Sequence, residues 1–249
     1  MVGIYSNYLL IVQAITSILG SALTGILATI GNLNTTKDKA HKEQVFYDIF
    51  FISVWIYGFC SIALLTLLNP FIKIWVGEQY LLPISAVIAI VLHFYICGIQ
   101  FAGYTYRVTM GLFIKGKKAP IYAAIINIVL SITLAYKMGL TGILLATSVA
   151  RLLTTTWYDP YIVHKNEFGT SPIKFFKKYL FYFLIVGVVS ACCYLAVYFI
   201  GDGIISFIIK GGITLIVSNL LFYILFKNKS EFKNNLNRIK GILNRRKGE

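Results

Sequence analysis

Acidic residues are scarce in this sequence. Nine Asp and Glu stand against 23 Lys and Arg in 249 residues, and charged residues of either sign make up only 13% of the chain. Soluble domains usually carry about 25% charged residues. The apolar residues, 58% of the total, fall in blocks long enough to cross a bilayer. The shortage of charge therefore excludes an ordinary soluble domain and predicts an all-α, polytopic bundle of transmembrane helices.

Cysteine is also rare, and its placement excludes two further kinds of site. The four cysteines, Cys60, Cys97, Cys192 and Cys193, all lie inside apolar blocks. Their spacing matches neither a disulfide framework nor a metal site, so we interpret them as small apolar residues. We predict no metal, no cofactor and no catalytic residue, and we do not expect an enzyme.

Seven apolar blocks predict seven membrane-spanning helices. Their approximate limits are 8–30, 49–69, 84–106, 120–137, 141–158, 179–200 and 204–226. Most lysines and arginines fall in alternate connections and in the tail after residue 226, which the positive-inside rule assigns to the cytoplasm. The N-terminus is then predicted outside and the C-terminus in the cytoplasm. Because the basic excess follows this topology, we expect no nucleic-acid partner.

A charged residue, Arg151, lies in the middle of the fifth block, where an isolated charge costs roughly 2.5–3.5 kcal/mol. At about 100° per residue, Thr147 and Thr155 fall on the face of Arg151, whereas Thr156 falls on the far side. We interpret this face as the wall of a water-filled cavity; a structural ion pair is the alternative. No Asp or Glu is predicted inside any helix. Such a cavity suits an anionic substrate, and arginine suits phosphate in particular.

Two further helices contribute candidate residues. The third block has a polar line at spacings of four and three, formed by His93, Cys97, Gln100, Tyr104 and Arg107. We predict Gln100 and Arg107 as substrate contacts and His93 as a proton-coupling candidate, with a hydrogen-bonded interior histidine as the alternative. In the fourth block, Asn127 is either another substrate contact or a hydrogen bond between helices.

Several segments carry a resemblance to a known family. They are 2–11 (VGIYSNYLLI), 30–33 (IGNL), 105–113 (TYRVTMGLF), 120–135 (PIYAAIINIVLSITLA), 139–152 (GLTGILLATSVARL) and 159–172 (DPYIVHKNEFGTSP). By their order and spacing the chain resembles the back part of a bacterial polysaccharide flippase, in the polysaccharide transporter branch of the multidrug/oligosaccharidyl-lipid/polysaccharide exporter superfamily. Arg107, Asn127 and Arg151 match positions of the family pattern. Their contact with a substrate diphosphate is our hypothesis from charge and placement.

The resemblance implies a fold of fourteen helices, in which two lobes face each other across a central cavity. The present helices correspond to helices eight to fourteen. Residues 1–158 would form five helices of the second lobe, residues 159–226 a cytoplasmic connection with two additional helices, and residues 227–249 a basic cytoplasmic tail. A front lobe, on the same longer chain or on a separate subunit, is the expected partner.

The function that the resemblance implies is lipid flipping by alternating access. The expected substrate is an undecaprenyl-diphosphate-linked oligosaccharide repeat unit for capsule, O-antigen or exopolysaccharide, moved across the bacterial cytoplasmic membrane in contact with membrane lipid. The alternatives are a membrane polysaccharide polymerase or ligase, a drug exporter of the same fold, and a non-transporting accessory subunit. Short outer connections count against the enzyme, and the lack of intramembrane carboxylates counts against the drug exporter.

The tail has a periodic pattern of its own. Phe232, Leu236, Ile239 and Leu243 recur at helical spacing among Lys and Arg. The pattern predicts a basic amphipathic helix on the anionic cytoplasmic leaflet, with a solvated tail as the alternative.

Overall fold

The computed structural model describes residues 2–33 and 38–247, and within these ranges every regular element is helical. The described residues form ten α-helices: α1 (Val2–Leu33), α2 (Lys39–Trp75), α3 (Ile84–Ile99), α4 (Phe101–Thr109), α5 (Ala119–Met138), α6 (Leu140–Leu153), α7 (Thr155–Val163), α8 (Ile173–Tyr198), α9 (Ile204–Phe226) and α10 (Ser230–Lys247). Six segments among them are long and apolar enough to span a membrane: Gly3–Leu23, Lys39–Trp75, Ile84–Thr109, Ile114–Met138, Ile173–Tyr198 and Ile204–Phe226. An all-helical, multi-pass membrane protein is thereby confirmed.

One of the predicted helices is interrupted. The fifth block is divided at Thr154, between α6 and α7. At Gln100, where α3 meets α4, the backbone stays helical, because Gln100 N–H donates to the Ile96 carbonyl and Tyr104 N–H donates to the Gln100 carbonyl. Thr154 has φ −129° and ψ −92°, outside the helical region, and its hydroxyl donates a hydrogen bond to the Ala150 carbonyl at 2.6 Å. Side-chain bonds of this kind compete with the helical ladder. With 14 and 9 residues, neither α6 nor α7 is long enough to cross a bilayer alone. The predicted fifth span is therefore two shorter helices.

Helices α5 and α6 form a tight antiparallel hairpin around a single glycine. Gly139 ends α5 and precedes α6 with φ +57° and ψ −133°, a conformation that favours glycine. The two helices then approach so closely that a Cβ atom at Gly142 would lie 2.2 Å from the carbonyl oxygen of Leu134. The hairpin returns α6 and α7 along α5, which places the end of α7 near the start of α5.

Contacts between connections define two ends of the bundle. At one end the hydroxyl of Tyr8, near the start of α1, donates to Asn69 Oδ1 at 2.6 Å, and Lys73 pairs with Asp202 at 2.8 Å. The starts of α3 and α6 also meet there, with the hydroxyl oxygens of Ser85 and Thr141 3.2 Å apart. At the other end three lysine-rich connections meet through the pairs Lys42–Glu167, Lys115–Asn166 and Lys178–Glu231. The charge asymmetry in the sequence is thus an asymmetry between the two ends of the fold.

The predicted tail is a helix, and its first half packs on the bundle. The ring of Phe232 stacks on Trp55 at 5.7 Å. Arg238 pairs with the buried carboxylate of Asp48 at 3.0 Å, and the Asn235 amide donates to the Asp48 carbonyl at 3.1 Å. The solvated-tail alternative therefore does not hold for this half. Leu236 is exposed, and the side chains of Ile239 and Leu243 lie outside the described residues.

Candidate functional site

One cleft brings together every residue predicted to contact substrate. It has a volume of about 540 Å³ and lies between the α3–α4 pair, α5 and the α6–α7 pair. The predicted residues on its wall are Gln100, Arg107, Asn127, Thr147, Arg151 and Thr155. Tyr57, Tyr104 and Asp159 are further wall residues. The cleft is thus the candidate site, and the role of its residues in binding stays a prediction.

Gln100 links the α3–α4 pair to the α6–α7 pair on this wall. Its amide nitrogen donates to the hydroxyl of Thr155 at 3.3 Å and also to that of Thr156. Its carbonyl oxygen accepts from Arg151 Nη1 at 3.2 Å. The junction of α3 with α4 therefore lies beside the break at Thr154, and the Gln100 side chain bonds residues on both sides of that break.

Arg151 keeps its positive charge without a carboxylate partner among the described residues. It is half-buried on the cleft wall, and its hydrogen bond goes to the neutral amide of Gln100. The alternative of a structural ion pair at this residue finds no partner in the part of the chain that the structure describes. The charge is consequently free to attract an anion in the cleft.

Arg107 has the opposite environment. Its Nε lies 2.8 Å from Asp159 Oδ1, and both side chains are buried. The guanidinium also lies over the Tyr104 ring at 5.5 Å, and a Cβ atom at Gly116 would come within 2.5 Å of it. The close contact fixes the guanidinium against the turn before α5. Asp159 balances its charge, so the arrangement favours a structural role for Arg107 more than a substrate contact.

The expectation that no acidic residue lies inside a helix is wrong. Glu43 and Asp48 lie in α2, which begins at Lys39, ten residues before the predicted block. Asp159 lies in α7, which continues to Val163. Arg151, Thr155 and Asp159 recur at spacings of four, and this pattern could have placed the aspartate on the cleft wall. Because acidic residues do occur in these helices, their supposed absence is no longer an argument against a drug exporter.

The remaining candidates, Asn127 and His93, differ in position. Asn127 faces the cleft from α5, and its Oδ1 accepts a bond from Ser131 in the same helix at 3.3 Å. His93 lies one turn before Cys97, with Nε2 3.5 Å from the sulfur, and its Nδ1 is buried without a hydrogen-bond partner among the described residues. Proton coupling by His93 stays a prediction. Within the same residues, no three His, Cys, Asp or Glu side chains come together as metal ligands.

Comparison of the chain with protein-family models, curated protein sequences and solved structures finds no significant match.

Proposed function

We propose that this chain forms one lobe of a flippase for lipid-linked oligosaccharides. The substrate class is an undecaprenyl-diphosphate-linked repeat unit for capsule, O-antigen or exopolysaccharide, moved outward across a bacterial cytoplasmic membrane. The observation that carries the proposal is Arg151, a cation on the wall of a membrane cleft with no carboxylate within ion-pair distance in the described residues. No covalent chemistry is required of the chain.

The charge balance of the cleft suits a diphosphate. Two arginines against one aspartate leave one net positive charge on the wall, centred on Arg151. The planar guanidinium donates two parallel bonds to phosphate oxygens, and such bonds strengthen where water is sparse. The hydroxyls of Thr147 and Thr155 and the amide of Asn127 supply neutral hydrogen-bonding groups for sugars.

The interrupted helix supports transport at this site. Transporters commonly form substrate sites from discontinuous helices, whose broken ends face the ligand near the middle of the membrane. Here the interruption at Thr154 lies next to Arg151 in the chain, and the Gln100 side chain bonds Arg151 on one side of it and Thr155 on the other. These polar side chains meet on the cleft wall.

A second helical lobe would complete the cavity. Gln13, Thr16 and Ser17 are exposed along α1, a helix apolar enough to span the membrane. Polar side chains facing lipid are rare, because lipid offers them no hydrogen-bond partner. We propose that a second lobe covers this polar face of α1 and rocks against the present helices to expose the cleft alternately to each side.

The direct test is binding of a fluorescent polyprenyl-diphosphate oligosaccharide to the detergent-solubilised chain. We expect Arg151→Ala to weaken binding by about ten-fold or more, since a hydrogen bond to a charged group contributes roughly 1.5–3 kcal/mol. Arg151→Lys should retain part of the affinity. Lys137→Ala, which removes an exposed cation from the same hairpin, is the control and should bind normally.

Two outcomes would contradict the proposal. If Arg151→Ala and the unmodified chain bind the lipid with equal affinity, Arg151 does not contact the substrate. If the chain binds the diphosphate lipid and an uncharged polyprenol oligosaccharide with equal affinity, the site does not require an anion. Flipping itself is then measured in vesicles with a complementary lobe. Binding without flipping there would favour the accessory-subunit alternative.

A further inference from the structure

A second cavity lies beside α5, at the lysine-rich end of the bundle. It has a volume of about 550 Å³ and shares no wall residue with the cleft around Arg151. Its walls come from the turn before α5, from the start of α5 and from the junction of α6 with α7. The polar and aromatic wall residues are Lys115, Lys117, Lys118, Tyr122, Thr154, Trp157 and Tyr158, and the apolar ones are Ile114, Ala119, Ile126 and Leu153.

The three lysines of this cavity concentrate positive charge at one place. All three are exposed, and none forms an ion pair with a carboxylate of the described residues. The turn that carries them is fixed, because the Tyr158 hydroxyl donates to the Lys115 carbonyl at 3.2 Å and the Lys115 ammonium bonds to Asn166. Such a fixed cluster attracts an anionic group.

The rest of the wall has the character of a membrane interface. Trp157 is 44% exposed and Tyr122 is 56% exposed, and aromatic residues of this kind concentrate where lipid headgroups begin. The Trp157 indole nitrogen donates to the Leu153 carbonyl at 2.8 Å, which fixes the ring. Next to them, Ile125 and Leu153 expose apolar surface, and Ile125 lies in a segment that is long and apolar enough to span a membrane.

From this combination we infer a site for an anionic phospholipid. The phosphate of the headgroup lies among Lys115, Lys117 and Lys118, and the acyl chains follow the apolar surface of Ile126 and Leu153. Charge complementarity selects an anion, and the apolar wall selects a lipid over a free phosphate ion. Basic pockets between helices at the cytoplasmic surface bind anionic headgroups in this way. The inference goes beyond the proposed transport and does not depend on it.

The test uses Trp157 as a local probe. The whole chain is reconstituted in vesicles that contain either dibrominated phosphatidylglycerol or dibrominated phosphatidylcholine, since bromine quenches a tryptophan in contact with it. Trp55 and Trp75 also fluoresce, so their contribution is measured in Trp157→Phe and subtracted. The remaining quenching belongs to Trp157 and therefore to this site. We expect stronger Trp157 quenching by the anionic lipid than by the zwitterionic lipid at equal mole fraction.

Charge variants then test which residues carry the preference. Lys115→Gln, Lys117→Gln and Lys118→Gln should each raise the mole fraction of anionic lipid for half-maximal quenching by about five-fold, the effect of one lysine near a charged surface. The control variant Lys227→Gln/Lys233→Gln/Lys240→Gln removes three exposed tail lysines and should keep the preference. Concentrated NaCl applied to the unmodified chain should weaken the preference by screening, a result that needs no variant to fold.

Three results would overturn the inference. The first is equal quenching of Trp157 by the two lipids. The second is an unchanged preference for the anionic lipid when Lys115, Lys117 and Lys118 are all replaced by Gln. The third is loss of this preference when inorganic phosphate is added, but not when chloride is added at the same ionic strength. The last result would identify a free phosphate as the occupant.

Discussion

At the scale of single residues, the two arginines of the cleft differ in what balances their charge. Arg107 is buried against Asp159 at 2.8 Å, whereas Arg151 bonds only the neutral amide of Gln100 among the described residues. A buried ion pair resists loss of either partner, because the remaining charge is left without solvation. Replacing a half-buried cation beside a polar cleft with a neutral residue should change the free energy of unfolding little, because no other charge is left unpaired. The two positions should therefore respond differently to the same kind of substitution.

We expect Asp159→Ala to destabilise the protein by about 3 kcal/mol, the usual result of leaving one charge of a buried pair alone. The double substitution Arg107→Met/Asp159→Leu should recover most of this loss, since it removes both charges and keeps the volume. Arg151→Gln should lower the stability by less than about 1 kcal/mol. Equilibrium unfolding in detergent, followed by tryptophan fluorescence, measures all three. A loss near zero for Asp159→Ala would show that the pair does not hold α4 to α7.

The sequence could predict most of the cleft wall but not its centre. Helical spacing places Gln100 and Arg107 on one face of a helix, and Arg151 and Thr155 on a face of another, and the fold brings these faces together. The same spacing assigns Thr156 to the far side, yet Gln100 donates to its hydroxyl. The break at Thr154 lies between Arg151 and Thr156, so the regular 100° per residue used to place Thr156 does not apply across it. A backbone interruption that depends on tertiary contacts leaves no periodic signal in the sequence.

At the scale of helices, a close approach joins α2 to α3. A Cβ atom at Gly98 would lie 2.0 Å from the ring of Tyr57, so only glycine allows the two helices this separation. The atoms concerned are at the base of the ring, which cannot move away without shifting α2. Both residues are buried. The pair thus sets how tightly the third segment packs on the central helix.

Gly98→Ala should destabilise the protein by about 2 kcal/mol through overpacking, lowering the Tm by roughly 6 °C for a chain of this size. The matched control is Gly187→Ala in α8, where no atom of the described residues, apart from the glycine's own neighbours in the helix, lies within 4 Å of the added carbon. That variant should be neutral or slightly more stable, because alanine favours helices over glycine. Thermal unfolding in detergent gives both values. Equal Tm values for the two variants would contradict the close approach of α2 and α3.

A second feature at this scale is the docking of α10 through Glu231. Burial tends to raise the pKa of Glu231, but the bond from Lys178, a backbone bond and the Ser230 hydroxyl together hold this pKa below its ordinary value. The ionised form therefore favours the docked helix above the pKa that Glu231 has when unfolded, about 4.3. This contribution is lost as the pH falls through the lower, folded value.

Acid should accordingly loosen α10. We expect hydrogen-exchange protection of its amides, corrected for intrinsic rates, to stay constant above pH 5 and to fall as the pH drops below about 4.3. In Glu231→Gln the protection should be lower at neutral pH and less dependent on acid. The difference between the two proteins isolates Glu231 from the other acidic residue of the contact, Asp48. Identical pH profiles would mean that Glu231 does not hold the helix.

At the scale of the whole molecule, the fold separates a lysine-rich end from an end with few charges. The start of α1 lies at the second end with Asn69, and the first half of α10 lies at the lysine-rich end. Opposite ends for the start of α1 and the start of α10 require an odd number of passages through the bundle. The six segments that are apolar enough to span a membrane supply an even number, which leaves α6 and α7 together as the candidate for one more passage. The hairpin at Gly139 and the bond from Tyr158 to the turn before α5 are consistent with this interrupted passage.

We therefore expect α6 and α7 to cross the membrane together, which labelling of single cysteines can test. In a background with Cys60, Cys97, Cys192 and Cys193 replaced by alanine, an impermeant maleimide added to intact cells should label Met138→Cys and Gly201→Cys. Lys117→Cys and Lys165→Cys should react only after permeabilisation, because the positive-inside rule keeps the lysine-rich end in the cytoplasm. All four positions are exposed, so access across the membrane decides the outcome. Reaction of Met138→Cys and Lys165→Cys from the same side would show that α6 and α7 enter the bundle without crossing, and would leave six passages with both termini on one side.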